Sequence, residues 1–142
     1  MKIMTCFIDT SAWIAIVDKD DPNHQKSSEY LEQILQKNAK IITNNVVLDE
    51  TIDSIKIKSG RKLAEDFSTI IDESILTINL RMDWVSRRMR RNALLNYLKS
   101  SSKELKLRHF FIIETIKKKK IDIIFSFDPA WKSYDMAVAP GY

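Results

Sequence analysis

The sequence predicts an α/β domain built on a parallel sheet with helices on both faces. Three observations point there. Short apolar runs of strand type alternate with segments whose apolar residues fall at helical spacing. Helix-capping residues stand at several of the junctions. The chain has 142 residues, 44% of them hydrophobic, which is enough for one compact core and too little for two. No repeat, low-complexity tract or Pro/Gly-rich linker divides it, so residues 1–142 read as a single domain.

Residues 2–8 are short and apolar, a strand ending at Asp9-Thr10-Ser11. All three are N-cap types, and the short buried helix they open covers 12–17. Asp21-Pro22-Asn23 opens a second helix with Tyr30, Leu31, Ile34 and Leu35 at helical spacing. A second strand covers 39–43. Asn44 or Asn45 then caps a third helix through Val47, Leu48, Thr51, Ile52 and Ile55 towards Gly60. A fourth helix over 61–72 precedes a strand over 75–80. Helix five covers 82–98, and Ser100-Ser101-Ser102 marks a loop. Helix six, 108–118, leads into a strand over 121–125, and a last short strand falls near 136–138.

Rare residues exclude whole classes of chemistry. The only glycines are Gly60 and Gly141, so neither a phosphate-binding G-x-x-x-x-G-K-[ST] loop nor a G-x-G-x-x-G dinucleotide turn exists. One cysteine, Cys6, and two histidines, His24 and His109, forbid the usual structural zinc sites and any intramolecular disulfide. Charges interrupt every apolar run before membrane-spanning length, and Asp9 sits inside the leader-like stretch 3–17. These features predict a cytoplasmic chain with no membrane partner, and a lone cysteine fits a reducing compartment.

Net charge is +4, unevenly spread. Residues 81–120 carry 13 basic and 3 acidic side chains, whereas residues 1–80 carry 9 basic and 13 acidic. A basic block between acidic ones suggests a polyanion partner and leaves carboxylates free for another task. Arg87, Arg88 and Arg91 share one face of helix five and form a rail suited to RNA phosphates, or else a solvated face. Lys117–Lys120 end helix six, where lysines oppose the negative end of the helix dipole. Trp13, Trp84 and Trp131 read equally as core residues or base-stacking platforms.

In a parallel α/β sheet the working residues lie just beyond the carboxyl ends of the strands. Asp9 follows the first strand, Glu50 lies early in the helix after the second, and Asp128 follows the last long strand. Taken singly, Asp9 could cap a helix, Glu50 face solvent and Asp128 start a turn. Placed together they would repel one another without a cation, the usual arrangement for holding Mg²⁺ or Mn²⁺.

The strings that carry these acids resemble a known family. Phe7-Ile8-Asp9-Thr10-Ser11-Ala12, Val46-Val47-Leu48-Asp49-Glu50-Thr51 and Phe125-Ser126-Phe127-Asp128-Pro129-Ala130-Trp131 are similar to acidic motifs of the PIN-domain ribonucleases, including the VapC-like toxins. Asp21-Pro22-Asn23-His24 resembles the entry to that family's second helix, so the likeness spans nearly the whole chain. It implies a three-layer α/β/α sandwich with a central, mostly parallel sheet of four to five strands. It also implies a metal-dependent endoribonuclease with Asp9, Glu50 and Asp128 as catalytic residues and ligands of Mg²⁺ or Mn²⁺. Thr10, Ser11 and Ser126 would hydrogen-bond and fix the acids. RNA is the implied substrate, and many small members are homodimeric toxins held by an antitoxin protein while others process RNA.

One position departs from the pattern. The family places an aspartate at the start of the helix before the last motif, and this chain has His109 there. Glu114, five helical residues on, is rotated by about 140° and is a poor substitute. His109 reads either as a metal ligand or as a polar neighbour of the helix cap. A degenerate PIN domain that binds RNA or protein without cutting is the alternative function, and a helix-rich interaction module with surface acids is the third.

Overall fold

The computed structural model describes residues 3–141; Lys2, the first residue of the expected opening strand, lies outside them. In chain order the elements are β1 (Thr5–Ile8), α1 (Thr10–Val17), α2 (His24–Gln36), β2 (Lys40–Asn44), α3 (Asn45–Ser59), α4 (Arg61–Thr77), β3 (Leu80–Asp83), α5 (Arg87–Lys99), α6 (Leu107–Lys119), β4 (Ile123–Ser126) and β5 (Val138–Pro140). A short 3-10 turn, Pro129–Ser133, precedes β5. The sheet has five strands in the order β3-β2-β1-β4-β5, and every neighbouring pair is parallel. The predicted α/β sandwich is the observed one.

Parallel pairing requires a crossover between strands, and here helices supply nearly all of them. Phe7 pairs with Ile42 on one side and Ile124 on the other. Successive strand residues point to opposite faces, yet Cys6, Phe7 and Ile8 are all fully buried, so both faces of β1 are covered. Tyr30 of α2 meets Phe125 of β4 edge-on at 4.8 Å, and Trp13 of α1 meets Phe67 of α4 at 5.7 Å. No helix among the described residues is long and apolar enough to cross a membrane.

All five strands run the same way, so their carboxyl ends share one edge. Asp9 follows β1, Asn44 closes β2, Asp83 closes β3 and Ser126 closes β4. Asn44 is the residue that caps α3, its Oδ1 accepting the Val47 N–H at 2.8 Å.

The strand expected over 75–80 is a correction. Helix α4 continues to Thr77, and the strand begins only at Leu80. Burial explains the shift. Ala64, Phe67 and Ile71 bury one helical stripe, whereas Ile75, Leu76 and Ile78 are exposed and gain nothing from sheet pairing. Leu80 is the buried residue that fits the sheet, paired with Ile41. Because β3 uses Met82 and Asp83, α5 starts at Arg87 rather than 82, with Ser86 Oγ accepting the Met89 N–H at 3.1 Å. The last strand lies at Val138–Pro140, later than the expected 136–138. The lysines ending α6 have a local anion as well as the helix dipole: Lys118 and Lys119 reach Asp83 at 3.1 and 3.8 Å.

This register makes a paired prediction for urea unfolding. Leu76→Lys, at a helical position 85% exposed, should change stability by no more than about 0.5 kcal/mol. Ile71→Ala, in the buried stripe, should cost about 2–5 kcal/mol. A large loss at position 76 would restore it to a buried strand.

Candidate active site

Asp9 is the most constrained acid in the molecule. It leaves β1 fully buried and caps α1, its Oδ1 accepting the Thr10 N–H at 2.7 Å. Its Oδ2 accepts from Ser126 Oγ at 2.9 Å and from Trp131 Nε1 at 3.0 Å. A buried carboxylate is tolerable only when its lone pairs are met in this way. Ser126 Oγ also accepts the Asp128 N–H at 3.0 Å, and Ser11 Oγ lies 3.2 Å from it while accepting the Phe127 N–H at 2.9 Å. Short hydroxyl residues thus tie the end of β4 to the start of α1.

Glu50 and Asp128 stand more open. Thr10 Oγ1 donates to Glu50 Oε1, turning the carboxylate of α3 toward Asp9. Asp128 caps the 3-10 turn, its Oδ1 accepting the Ala130 N–H at 3.0 Å. Its Oδ2 lies 2.7 Å from His109 Nε2. His109 Nδ1 accepts the Lys106 N–H at 2.8 Å, so Nε2 carries the proton of the neutral ring and donates it to Asp128. Both ring nitrogens are therefore engaged, and the imidazole, packed edge-on against Trp131 at 5.0 Å, offers no free lone pair as it stands. The bond from the Lys106 N–H places His109 beside the cap of α6.

Sequence reasoning passed over the residue that joins the site. Arg108, beside His109 in the first turn of α6, sends one nitrogen to each acid. Nη2 lies 2.9 Å from Asp128 Oδ2, Nη1 3.3 Å from Asp9 Oδ1, and Nε 3.6 Å from Glu50 Oε2. Burial works against the charge on Arg108, but the attraction of Asp9 and Glu50 and a hydrogen bond to Asp9 outweigh it and raise its pKa. The hydrogen bond from His109 pulls the Asp128 carboxyl down from 3.8 to about 2, against the opposing effect of burial; the Ala130 N–H and the Arg108 charge act with it. A signal for Arg108 was present in the sequence. A cation in the first turn of a helix opposes the dipole and calls for a nearby anion.

The structure therefore brings Asp9, Glu50, Asp128, Thr10, Ser11, Ser126 and His109 to one place. Among the described residues, no three acidic, histidine or cysteine side chains stand so that they could chelate an ion; the guanidinium lies between the carboxylates. Arg87, Arg88 and Arg91 are exposed on α5, away from the acids' hydrogen bonds. Arg88 lines an open cleft of about 420 Å³ with Ser86, Asn92, Lys117 and Lys118. Of the three tryptophans, Trp13 and Trp131 are buried and only Trp84 is exposed, at 66%. The β3–α5 connection that carries it is anchored by the Val85 N–H donating to Asn45 Oδ1 at 2.7 Å.

Comparison with known proteins agrees with this fold. The PIN domain family model matches residues 6–136. No curated protein matches the chain. Among solved structures, VapC20 of Mycobacterium tuberculosis, a sarcin-ricin loop cleaving toxin, is 20% identical with a TM-score of 0.81, covering 93% of this chain and 96% of its own. VapBC2 of Rickettsia felis, bound to a DNA fragment from its promoter, is 14% identical with a TM-score of 0.68, covering 95% and 97%. At these identities the likeness is one of fold.

Two outcomes follow from the hydrogen bonds. Asp9→Ala leaves Ser126, Trp131 and the first turn of α1 without their acceptor, and should cost about 3–5 kcal/mol in denaturant unfolding. A cost under about 1 kcal/mol would show that the buried network contributes little to folding. Asp128, with its pKa lowered on folding, stabilises the protein above its ordinary 3.8, and that contribution is lost as pH falls through about 2. Asp128→Asn should therefore flatten the acid side of the stability profile in that window. An unchanged slope would mean that the His109 bond does not act on folding.

Proposed function

Because the chain belongs to the PIN domain family, we propose that it is a divalent-metal-dependent endoribonuclease hydrolysing RNA phosphodiester bonds at Asp9, Glu50 and Asp128. The observation that carries this reading is the convergence of three carboxylates, from three separate elements, on one cationic group. Asp9 Oδ1, Glu50 Oε2 and Asp128 Oδ2 are hard oxygen donors of the kind that Mg²⁺ or Mn²⁺ takes. When bound there, the ion supplies stabilisation of charge on the phosphate and lowers the pKa of a water.

The remaining work falls to the chain's own residues. Asp9 is locked by its donors and acts by holding position. Glu50 is the most open of the three, at 35% side-chain exposure, and its carboxylate orients the attacking water. Thr10 orients Glu50, Ser126 orients Asp9, and Ser11 holds the backbone between Ser126 and Asp128. His109 positions Asp128 and is not assigned as a ligand.

RNA is drawn in by the basic block. Arg87, Arg88 and Arg91 bind backbone phosphates, and exposed Trp84 offers a face on which a base stacks. The likeness to VapC20 and VapBC2 favours a cytoplasmic toxin with an antitoxin partner.

Cleavage of single-stranded and structured RNA with Mg²⁺ or Mn²⁺ tests the activity. Wild type should cut, chelation should abolish cutting, and Glu50→Gln should lower the rate by roughly 100-fold or more while remaining folded. Cleavage that survives both treatments contradicts the assignment. RNA binding without any cleavage assigns the chain to the non-catalytic class, which the occupancy of the acids by Arg108 favours. Replacing Arg87, Arg88 and Arg91 by alanine should weaken unrelated RNAs alike and reduce the salt slope by about 0.7 per lost contact. Unchanged affinity would return these arginines to solvated surface.

A further inference from the structure

Arg108 makes an arrangement that a simple surface ion pair does not. Its Nε, Nη1 and Nη2 each face a different carboxylate, with the Asp9 side chain fully buried and the Arg108 side chain 24% exposed. The three acids are brought together by three elements far apart in sequence, and without positive charge between them they would repel. The oxygens that Arg108 satisfies are the same three that the proposed function assigns to a divalent ion. Two cations cannot occupy one set of oxygens.

We propose that Arg108 is a built-in competitor of the metal, so that divalent ions enter this site by exchange with its guanidinium. The inference rests on the metal-dependent reading above. Arg108 is suited to the task by its place in the fold. It is rooted in the first turn of α6, where the helix dipole adds no attraction for a cation, so its hold on the site depends on the three carboxylates. Its side chain is 24% exposed, and its exit would be a change of rotamer about the side chain's single bonds. Once released, its planar fork suits a phosphate, the group that an incoming RNA presents. RNA phosphates then offer Arg108 an alternative anion, and polyanion and metal each favour the other's binding.

The consequence is a site that binds metal weakly alone and more tightly when a polyanion is present. Arg108→Gln keeps much of the side chain's length and removes the charge, so it should free the carboxylates. Arg108→Lys keeps the charge on one atom that cannot serve three acids at once.

The test is Mn²⁺ binding, followed by electron paramagnetic resonance of the free ion at constant ionic strength. Wild type, Arg108→Gln and Arg108→Lys are compared with and without a short phosphorothioate-linked RNA. Arg108→Gln should bind Mn²⁺ at least tenfold more tightly than wild type, with Arg108→Lys between them. The RNA should tighten Mn²⁺ binding in wild type and leave Arg108→Gln nearly unchanged. Adding Glu50→Gln to Arg108→Gln should remove the gain, which locates the ion at these acids. Thermal melting gives a second readout: Arg108→Gln should lose stability without metal, through repulsion among the acids, and recover more with Mn²⁺ than wild type does. Equal Mn²⁺ affinity in wild type and Arg108→Gln overturns the exchange and leaves the nuclease reading standing. No Mn²⁺ bound by either protein overturns both, whereas an unfolded Arg108→Gln that Mn²⁺ fails to restore overturns the exchange alone.

Discussion

Mutual repulsion among Asp9, Glu50 and Asp128 is the constraint on which the site is organised. An all-parallel sheet puts the ends of its strands on one edge, so residues distant in sequence meet there without choice. When three of them are carboxylates, the fold must supply positive charge, donors, or both. Here it supplies hydrogen bonds to Asp9 from the backbone, Ser126 and Trp131, a donor to Asp128 from His109, and one guanidinium shared by all three acids. Each of these groups is explained by the charge it answers.

Asp9 makes the site inseparable from the fold. The same carboxylate that faces Arg108 caps α1 and receives the indole of the 3-10 turn and the hydroxyl that closes β4. Its position is therefore set by packing, and its chemistry is that of a fixed charge. Glu50 differs in both respects. It has one short hydroxyl partner on Oε1, a longer ion pair to Arg108 on Oε2, and a more open side chain. The three acids differ in how firmly the fold holds them, in the order of their burial.

Much of this was legible in the sequence. Asp9, Glu50 and Asp128 each follow a strand or open the helix after one, and the alternation of elements defines the edge at which they meet. Of the hydroxyls expected from the family likeness, Thr10 and Ser126 reach Glu50 and Asp9, whereas Ser11 meets Ser126 and the Phe127 N–H rather than an acid. What escaped were contacts that no spacing encodes. Arg108 meets acids 20, 58 and 99 residues away in sequence, and only the folded chain puts them within reach. The roles of His109 depended on two hydrogen bonds, one to the backbone of Lys106 and one to Asp128, that fix which nitrogen holds the proton. The error over 75–80 arose because a β-type run says nothing of which residues find a buried surface. Leu80 finds one in the sheet and Leu76 does not.

The central claim is that the three carboxylates require one cation, which Arg108 provides until a divalent ion replaces it. A crystal structure of the protein grown with Mn²⁺, with anomalous scattering measured at the manganese edge, tests this most directly. The account predicts one or two manganese peaks among Asp9, Glu50 and Asp128, with the Arg108 guanidinium turned away from all three. Manganese bound elsewhere, with Arg108 still seated between the carboxylates, would contradict it.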